Sequence, residues 1–460
     1  MKIKTKLYLL ILLAVVAVSS GFSCKFITPS QKELLEPIEL TWWGVTDEPE
    51  NFYEVIGDYQ AAHPNIKITY RKLRLEEFEN ELLEALAEDR GPDIFSIHNT
   101  WVNKYLSKIE PLPAKTTLAY QVTKTSLGIK QETLIEVRDV PAITAPQLKE
   151  TFLDVVYNDV VRDNKIYGLP LSVDTLVLFY NRDLLNNAGI PLPPKTWNEL
   201  QEQVKRLTFQ NQNGDLIQSG AALGTAENIE RSSDIVSLLM MQNGAEMITG
   251  RNVTFGVVPS TFPDQTYNPG PEAVRFYTDF ANSSKEVYSW NKTFSNSIDA
   301  FAEGRVAMIF GYNYHIPILE SKRQGKLNYG ISNMPQIEGR TEVNFANYWV
   351  NTVSKKSAHI NEAWDFIQFI TTKKAETEKY LAKTLRPTAL RTLIQDQTNN
   401  DALAVFAKQL LTAKSWYRGA DAVAAENALN EMIESILAGN DLQESVNLAA
   451  LKIQQTLQTL

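Results

Sequence analysis

DNKIYGLPLSVDTLVLFYNRDLL, residues 163–185, reads as two half-strands joined at a single acid. Residues 169–173 form a short apolar run punctuated by Pro170, and residues 176–180 form a second run rich in β-formers. Both have the composition expected of buried strands. Asp174 lies between them. A carboxylate in such a run must be paired, must take up a proton, or must face a wet cavity, because burying it alone costs several kcal/mol. Two readings remain open on the residues alone: a bend capped by local backbone N–H groups, or a contact with a ligand.

The remaining totals narrow the class. A chain of 460 residues exceeds what one small core serves and predicts two lobes or domains. The net charge of −9 argues against a nucleic-acid-binding face. Four histidines (His63, His98, His315, His359) and one cysteine lack metal-ligand spacing, so no metal site or cofactor is indicated. One cysteine also rules out a disulfide within the chain. No glycine-rich phosphate loop is present.

The chain opens with lysines at 2, 4 and 6, then an apolar run over 7–18 and small residues up to Cys24. This pattern predicts an export signal over residues 1–24. A dozen apolar residues fall short of the roughly 20 needed to span a membrane. Cys24 just after the run has the placement of a lipoprotein cleavage site, where the thiol is acylated and tethers the protein to the outer face of the cell membrane. Gly21 and Phe22 depart from the usual pattern there. Residues 25–37 read as a flexible tether.

From residue 38 onward, strands and helices alternate. IELTWW (38–43) is a strand ended by Gly44, and Phe52, Val55, Ile56 and Tyr59 recur at helical spacing. Residues 66–70 and 94–97 are further strands, separated by a helix over 75–88. Such alternation predicts an α/β sheet whose ligands gather at the carboxyl ends of its strands. Trp42, Trp43, Asp47 and Glu48 follow the first strand, and His98, Asn99 and Trp101 follow the third. Adjacent strand residues point to opposite faces, and Trp43, beside Gly44, is the expected cleft residue. Residues 111–160 read as a surface elaboration of the first lobe. Thr196 and Glu199 form an expected capping box before a helix over 196–208.

KIYGLPLSVDTLVLFYNRDLL together with PPKTWNEL (193–200) resembles the extracellular solute-binding proteins of bacterial ABC importers, in particular the sugar-type family that includes maltose-binding protein. Further motifs follow in the family's order: GPDIFSIHNTW (91–101), FAEGRVAMIFGYNYHIP (301–317), NYWVNTVSKKSAHINEAWDFIQFI (347–370) and SWYRGADAV (415–423). The resemblance implies a two-lobed, type II periplasmic-binding-protein fold, with each lobe a mixed sheet flanked by helices and the ligand cleft between them. It implies lobe 1 over 38–172 plus 349–398, and lobe 2 over 173–348 plus 399–460. In that family Asp174 stands at the mouth of the cleft on the first crossover, and residues 347–370 form the return crossover. The resemblance further implies ligand contacts from Asn99, Trp101, Tyr312, Asn313, Tyr348 or Trp349, Trp416 and Arg418, alongside Trp43 and Asp47. The implied partners are a small carbohydrate and the transmembrane subunits of a permease, with the protein a monomer.

The residue types suit a sugar, whose hydroxyl edges need carboxylates, amides or guanidinium groups and whose C–H faces need flat rings. A micromolar ligand needs about −8 kcal/mol, whereas covering ~100 Å² of one ring platform supplies only about 2.5 kcal/mol. Two walls are required. The competing class is a secreted carbohydrate hydrolase using two of Asp47, Glu48 and Asp174, although no catalytic motif accompanies them. Non-sugar solutes such as glycerol phosphodiesters also fit the scaffold.

Overall fold

The computed structural model describes residues 36–126, 130–322, 325 and 327–458. The export signal, Cys24 and almost all of the tether lie outside the described residues. Among the described residues, no helix is long and apolar enough to cross a membrane.

The first sheet has five strands in the order Ile66–Lys72, Ile38–Gly44, Ile94–His98, Trp349–Ser354 and Ile109–Glu110. The first three pair in parallel through the helices Tyr53–Ala62 and Leu75–Ala87, as the 3.6-residue spacing of Val55, Ile56 and Tyr59 requires. Trp349–Ser354 enters antiparallel beside Ile94–His98, so the sheet is mixed. A second sheet is antiparallel, with Val177–Asn181 between Met308–Gly311 and Tyr329–Ser332. Between the two lies a short three-stranded sheet in which Asn344–Asn347 pairs with Asp174–Thr175 and with Ala413–Lys414.

Buried apolar residues form two clusters that divide at these short strands. Leu169, Leu171 and Val173 belong to the first cluster, and Leu176 to Phe179 belong to the second. On the return, Phe345 packs in the second and Ala346, Tyr348 and Val350 in the first. A third crossing follows, where Phe406 sits in the second core, Ala407 to Ala413 touch the first, and Trp416 returns to the second.

Several expectations need correction. Residues 169–173 do not form a continuous strand; Leu169 and Ser172 make isolated bridges to Asn351 and Thr388 instead. Pro170 has no N–H to give a ladder, which breaks the pairing. The capping box at Thr196 is half made. Thr196 Oγ1 accepts from Glu199 N at 3.2 Å, but the Glu199 carboxylate accepts from Lys195 N, one residue too early. Residues 111–160 contain a β-ribbon, Lys115–Ser126 with Lys130–Pro141, followed by two short helices.

Candidate functional site

The antiparallel pair at the crossover sets Asn347 directly opposite Asp174. Two small cavities of about 60 and 30 Å³ open on either side, and Asn347 lines both. A buried water needs only about 10–15 Å³ of such space, so the cavities have room for waters, and a sugar must part the walls to enter. Larger open grooves exist on the surface, but the first chamber sets first-core residues against Asn313 and Tyr314, which follow the second-core strand Met308–Gly311, and the second is walled by residues of both cores.

The first chamber is lined by Asp47, Asp174, Asn313, Tyr314, Trp349 and Arg386, among others. Its floor is aromatic: Trp42, Phe52 and Tyr380 pack with Phe52–Tyr380 stacked at 5.5 Å and Trp42–Phe52 at 4.3 Å. Such pairs contribute about 1 kcal/mol each beyond burial. Trp42 Nε1 donates to Ser96 Oγ at 3.2 Å, and Ser96 donates to Asn351, which orients the indole. Asp47 pairs with Arg386 at 3.2 Å and accepts from Tyr380 OH at 3.1 Å. Arg386 also donates to Thr46 Oγ1 and to its carbonyl. Asp174 accepts from Thr175 N at 2.8 Å, and among the described residues it has no ion-pair partner. Burial outweighs the backbone N–H groups of Asn313 and Thr175 and pushes the Asp174 carboxyl up to about 7. Asp174 is thus tied to local backbone, as the capped-bend reading requires, and it also lines the cavity.

The second chamber is lined by His98, Arg231, Asp234, Trp416 and Glu426, among others. Arg231 grips two carboxylates in fork geometry: Asp234 at 2.8 and 2.9 Å, and Glu426 at 3.1 and 3.2 Å. It does so from a left-handed backbone, φ 57°, at the start of the helix Ser232–Gln242. A non-glycine residue there carries strain that the surrounding contacts must offset. Tyr312 OH donates to Asp234 at 2.7 Å. Burial raises the Glu426 carboxyl against the pull of Arg231. Burial, with help from Arg231, pushes His98 down to about 4 and keeps it neutral.

The predicted residues sort into three groups. Asp47, Asp174, Asn313 and Trp349 meet in the first chamber, and Trp416 lies in the second. Trp101 is half-buried against both cores, edge-on to Trp349 at 5.7 Å, outside either lining. The others are placed differently. Trp43 points to the opposite face from the chamber, under the Arg71 guanidinium at 4.8 Å, while Trp42 takes the chamber side. Tyr312 is fully buried, and Tyr314, stacked 5.5 Å away, forms the wall in its stead. Gly311 permits this tight turn, since a Cβ there would come within 2.9 Å of His315 Nδ1, which accepts from Tyr312 N.

Asn99, Tyr348 and Arg418 aim their polar atoms at Asp159. Tyr348 borders the first chamber, but its hydroxyl is spent at 2.8 Å on that carboxylate. Sequence reading missed Arg386, Arg231, Asp234 and Glu426. Arg386 alone carried a local signal, since Pro387 after it favours an extended, outward-reaching backbone.

Two α/β bodies with separate cores, joined by chain crossings beside polar, ring-lined chambers, have the plan of a type II solute-binding fold. Residues 43–377 match the family model described as bacterial extracellular solute-binding protein, and the chain belongs to that family. A maltodextrin-binding protein of Bacillus subtilis (strain 168) is 27% identical over 232 residues, 48% of this chain; the chain spans about half (49%) of that relative's length. In structure, the chain is similar to a cyclic α-maltosyl-1,6-maltose binding protein from Arthrobacter globiformis, with TM-score 0.69 and 16% identity over 92% of this chain and 100% of that one. A solute-binding protein from Thermotoga lettingae bound with α-D-tagatose gives TM-score 0.65 and 18% identity, again over 92% and 100%.

Proposed function

We propose that the protein captures a sugar or oligosaccharide between two lobes, 38–172 plus 349–398 and 173–348 plus 399–460, and delivers it to an ABC permease in the membrane. The carrying observation is Asp174, an acid at the crossover with no ion-pair partner among the described residues, facing a chamber with Asp47, Asn313, Tyr314 and Trp349 on its walls. Rings cover C–H faces while carboxylates and amides accept and donate to hydroxyls. Closing two such walls excludes water and strengthens those bonds, and it makes the closed shape depend on ligand. A permease that recognises the closed shape then imports only when loaded. Names of relatives support the reading, since they bind maltodextrin, galactooligosaccharide and arabinooligosaccharide.

The protein acts outside the cytoplasm as a monomer, held to the membrane by acylation of Cys24. Metabolic labelling with a palmitate analogue, present in the wild type and absent in Cys24→Ala, tests the anchor. Small-angle scattering across a carbohydrate panel tests the capture, with a reduced radius of gyration expected for at least one sugar. No compaction with any member defeats the reading. Products released from glycans during the same incubations would move the protein to the hydrolase class.

A further inference from the structure

The acidic groups lining the two chambers outnumber the basic ones. In the first, Asp47 and Asp174 face one cation, Arg386; in the second, Asp234 and Glu426 face one cation, Arg231. His98 adds nothing, since its enclosure keeps it neutral. Each guanidinium is already paired with a carboxylate. Both amino groups of Arg386 are taken up by Thr46 and Asp47, and Nε, Nη1 and Nη2 of Arg231 all donate to Asp234 and Glu426. Both cations of the cleft are thus already paired with carboxylates, and Asp174 is the acid left over. An anionic solute would find no guanidinium without a carboxylate partner, and its desolvation would go unrepaid. A protonated amine would supply the missing partner.

On the reading that this cleft binds carbohydrate, we propose that it selects sugars bearing a protonated amine over their neutral counterparts and rejects uronates and phosphodiesters. Asp174 is the residue that reads the amine. It is the acid without an ion pair, and the groups facing it are Asp47, Tyr380 and Arg386 from one side and Asn313 and Tyr314 from the other. In the absence of ligand its carboxyl holds a proton up to about pH 7, so binding an ammonium group near pH 6 ionises it and releases that proton.

Titration calorimetry on the full chain reads this with matched α-1,4 and β-1,4 gluco-oligosaccharides in three series: hydroxyl at C2, ammonium at C2, and carboxylate at C6. The ammonium series binds about ten-fold tighter than the hydroxyl series at pH 6, the uronates bind at least as much weaker, and buffers of different ionisation enthalpy register proton release with the amine alone. Asp174→Asn abolishes the proton release and brings the ratio of ammonium-series to hydroxyl-series affinity to about one, whatever it does to the absolute affinity of either series. If that variant misfolds, the wild type supplies the comparison: the amine preference grows from pH 5 to pH 7 as Asp174 gives up its proton, and a preference flat over that range overturns the proposal. Uronates binding as tightly as the hydroxyl series, or amines no tighter than it, overturn the proposal and leave carbohydrate binding standing. Binding by no member of any series overturns the proposal for gluco-configured sugars, while the scattering panel decides carbohydrate capture itself.

Discussion

Asp159, buried in the helix Asp154–Val160 of the first core, and Asp174, partly buried at the first crossing, are two carboxylates with opposite surroundings. Asp159 accepts from Asn99 Nδ2 at 2.9 Å, Tyr348 OH at 2.8 Å, Ser415 Oγ at 2.6 Å and Arg418 Nη2 at 2.9 Å. Its partners come from both cores and from the third crossing, so the carboxylate ties the hinge region together. Asp174 accepts from backbone and faces a cavity. A fully bonded acid is a structural knot, whereas an acid short of partners keeps capacity for a ligand.

Breaking the knot has the largest expected effect. Asp159→Ala leaves Ser415, Tyr348 and Asn99 without their acceptor and strands Arg418, one-third exposed, beside them. A loss of about 3 kcal/mol is expected, toward the low end for a broken buried pair because Arg418 keeps some water. Urea unfolding measures it, and a loss under about 1 kcal/mol would remove the distinction between the two acids.

Asp174→Asn has the opposite character. The folded-state carboxyl titrates near 7 against an ordinary value of 3.8, so between those values the folded protein holds a proton that the unfolded chain has lost. Stability of the wild type falls as pH rises through that window and then levels off. The variant lacks this slope. Its melting temperature relative to wild type is expected to climb from pH 4 to pH 7 and stay constant above; a constant difference throughout would mean that Asp174 is not held protonated.

His315 sharpens the contrast from the basic side. Burial, with Arg231 nearby, pushes it down to about 4 from an ordinary 6.5, and its Nδ1 accepts from Tyr312 N. For a depressed histidine the contribution is full above pH 6.5 and is lost as pH falls toward 4. His315→Gln should therefore show a shallower decline in melting temperature over that window than wild type, and an equally steep one would count against it.

The smallest effect is expected at Trp43. Its stacking with Arg71 contributes about 0.5–1 kcal/mol, and Trp43→Ala should leave sugar affinity within two-fold. Trp416→Ala, in the second chamber, should weaken binding by ten-fold or more. Equal effects from the two tryptophans would contradict the assignment of faces.

Much of the fold was legible in the chain. Strands at 38–44, 66–72 and 94–98 and the helices between them follow from local periodicity, whereas the crossover at Asp174 was implied by the family resemblance of its motif and not by the acid in the apolar run. The same alternation showed that Trp42 and Trp43 must face opposite ways. It did not say which way held the cleft, because neither residue's local pattern records what lies across from it. Here the chamber shares its side with Phe52 and Tyr380, and Tyr380 arrives from a helix more than three hundred residues away.

The candidate site was half legible for the same reason. Asp47, Asp174, Asn313, Trp349 and Trp416 announced themselves as polar or aromatic residues at strand ends, a property of neighbours in sequence. Whether a polar side chain is free or already spent depends on a partner far along the chain: Arg386 for Asp47, Asp159 for Asn99, Tyr348 and Arg418, and Glu426 for Arg231. Residue order alone determined the alternating elements, the two-bodied plan and the acid at the pivot. Only the tertiary structure decided which charges cancel and which remain, because ion pairing depends on distance in space, and the crossovers bring together residues that no local pattern relates.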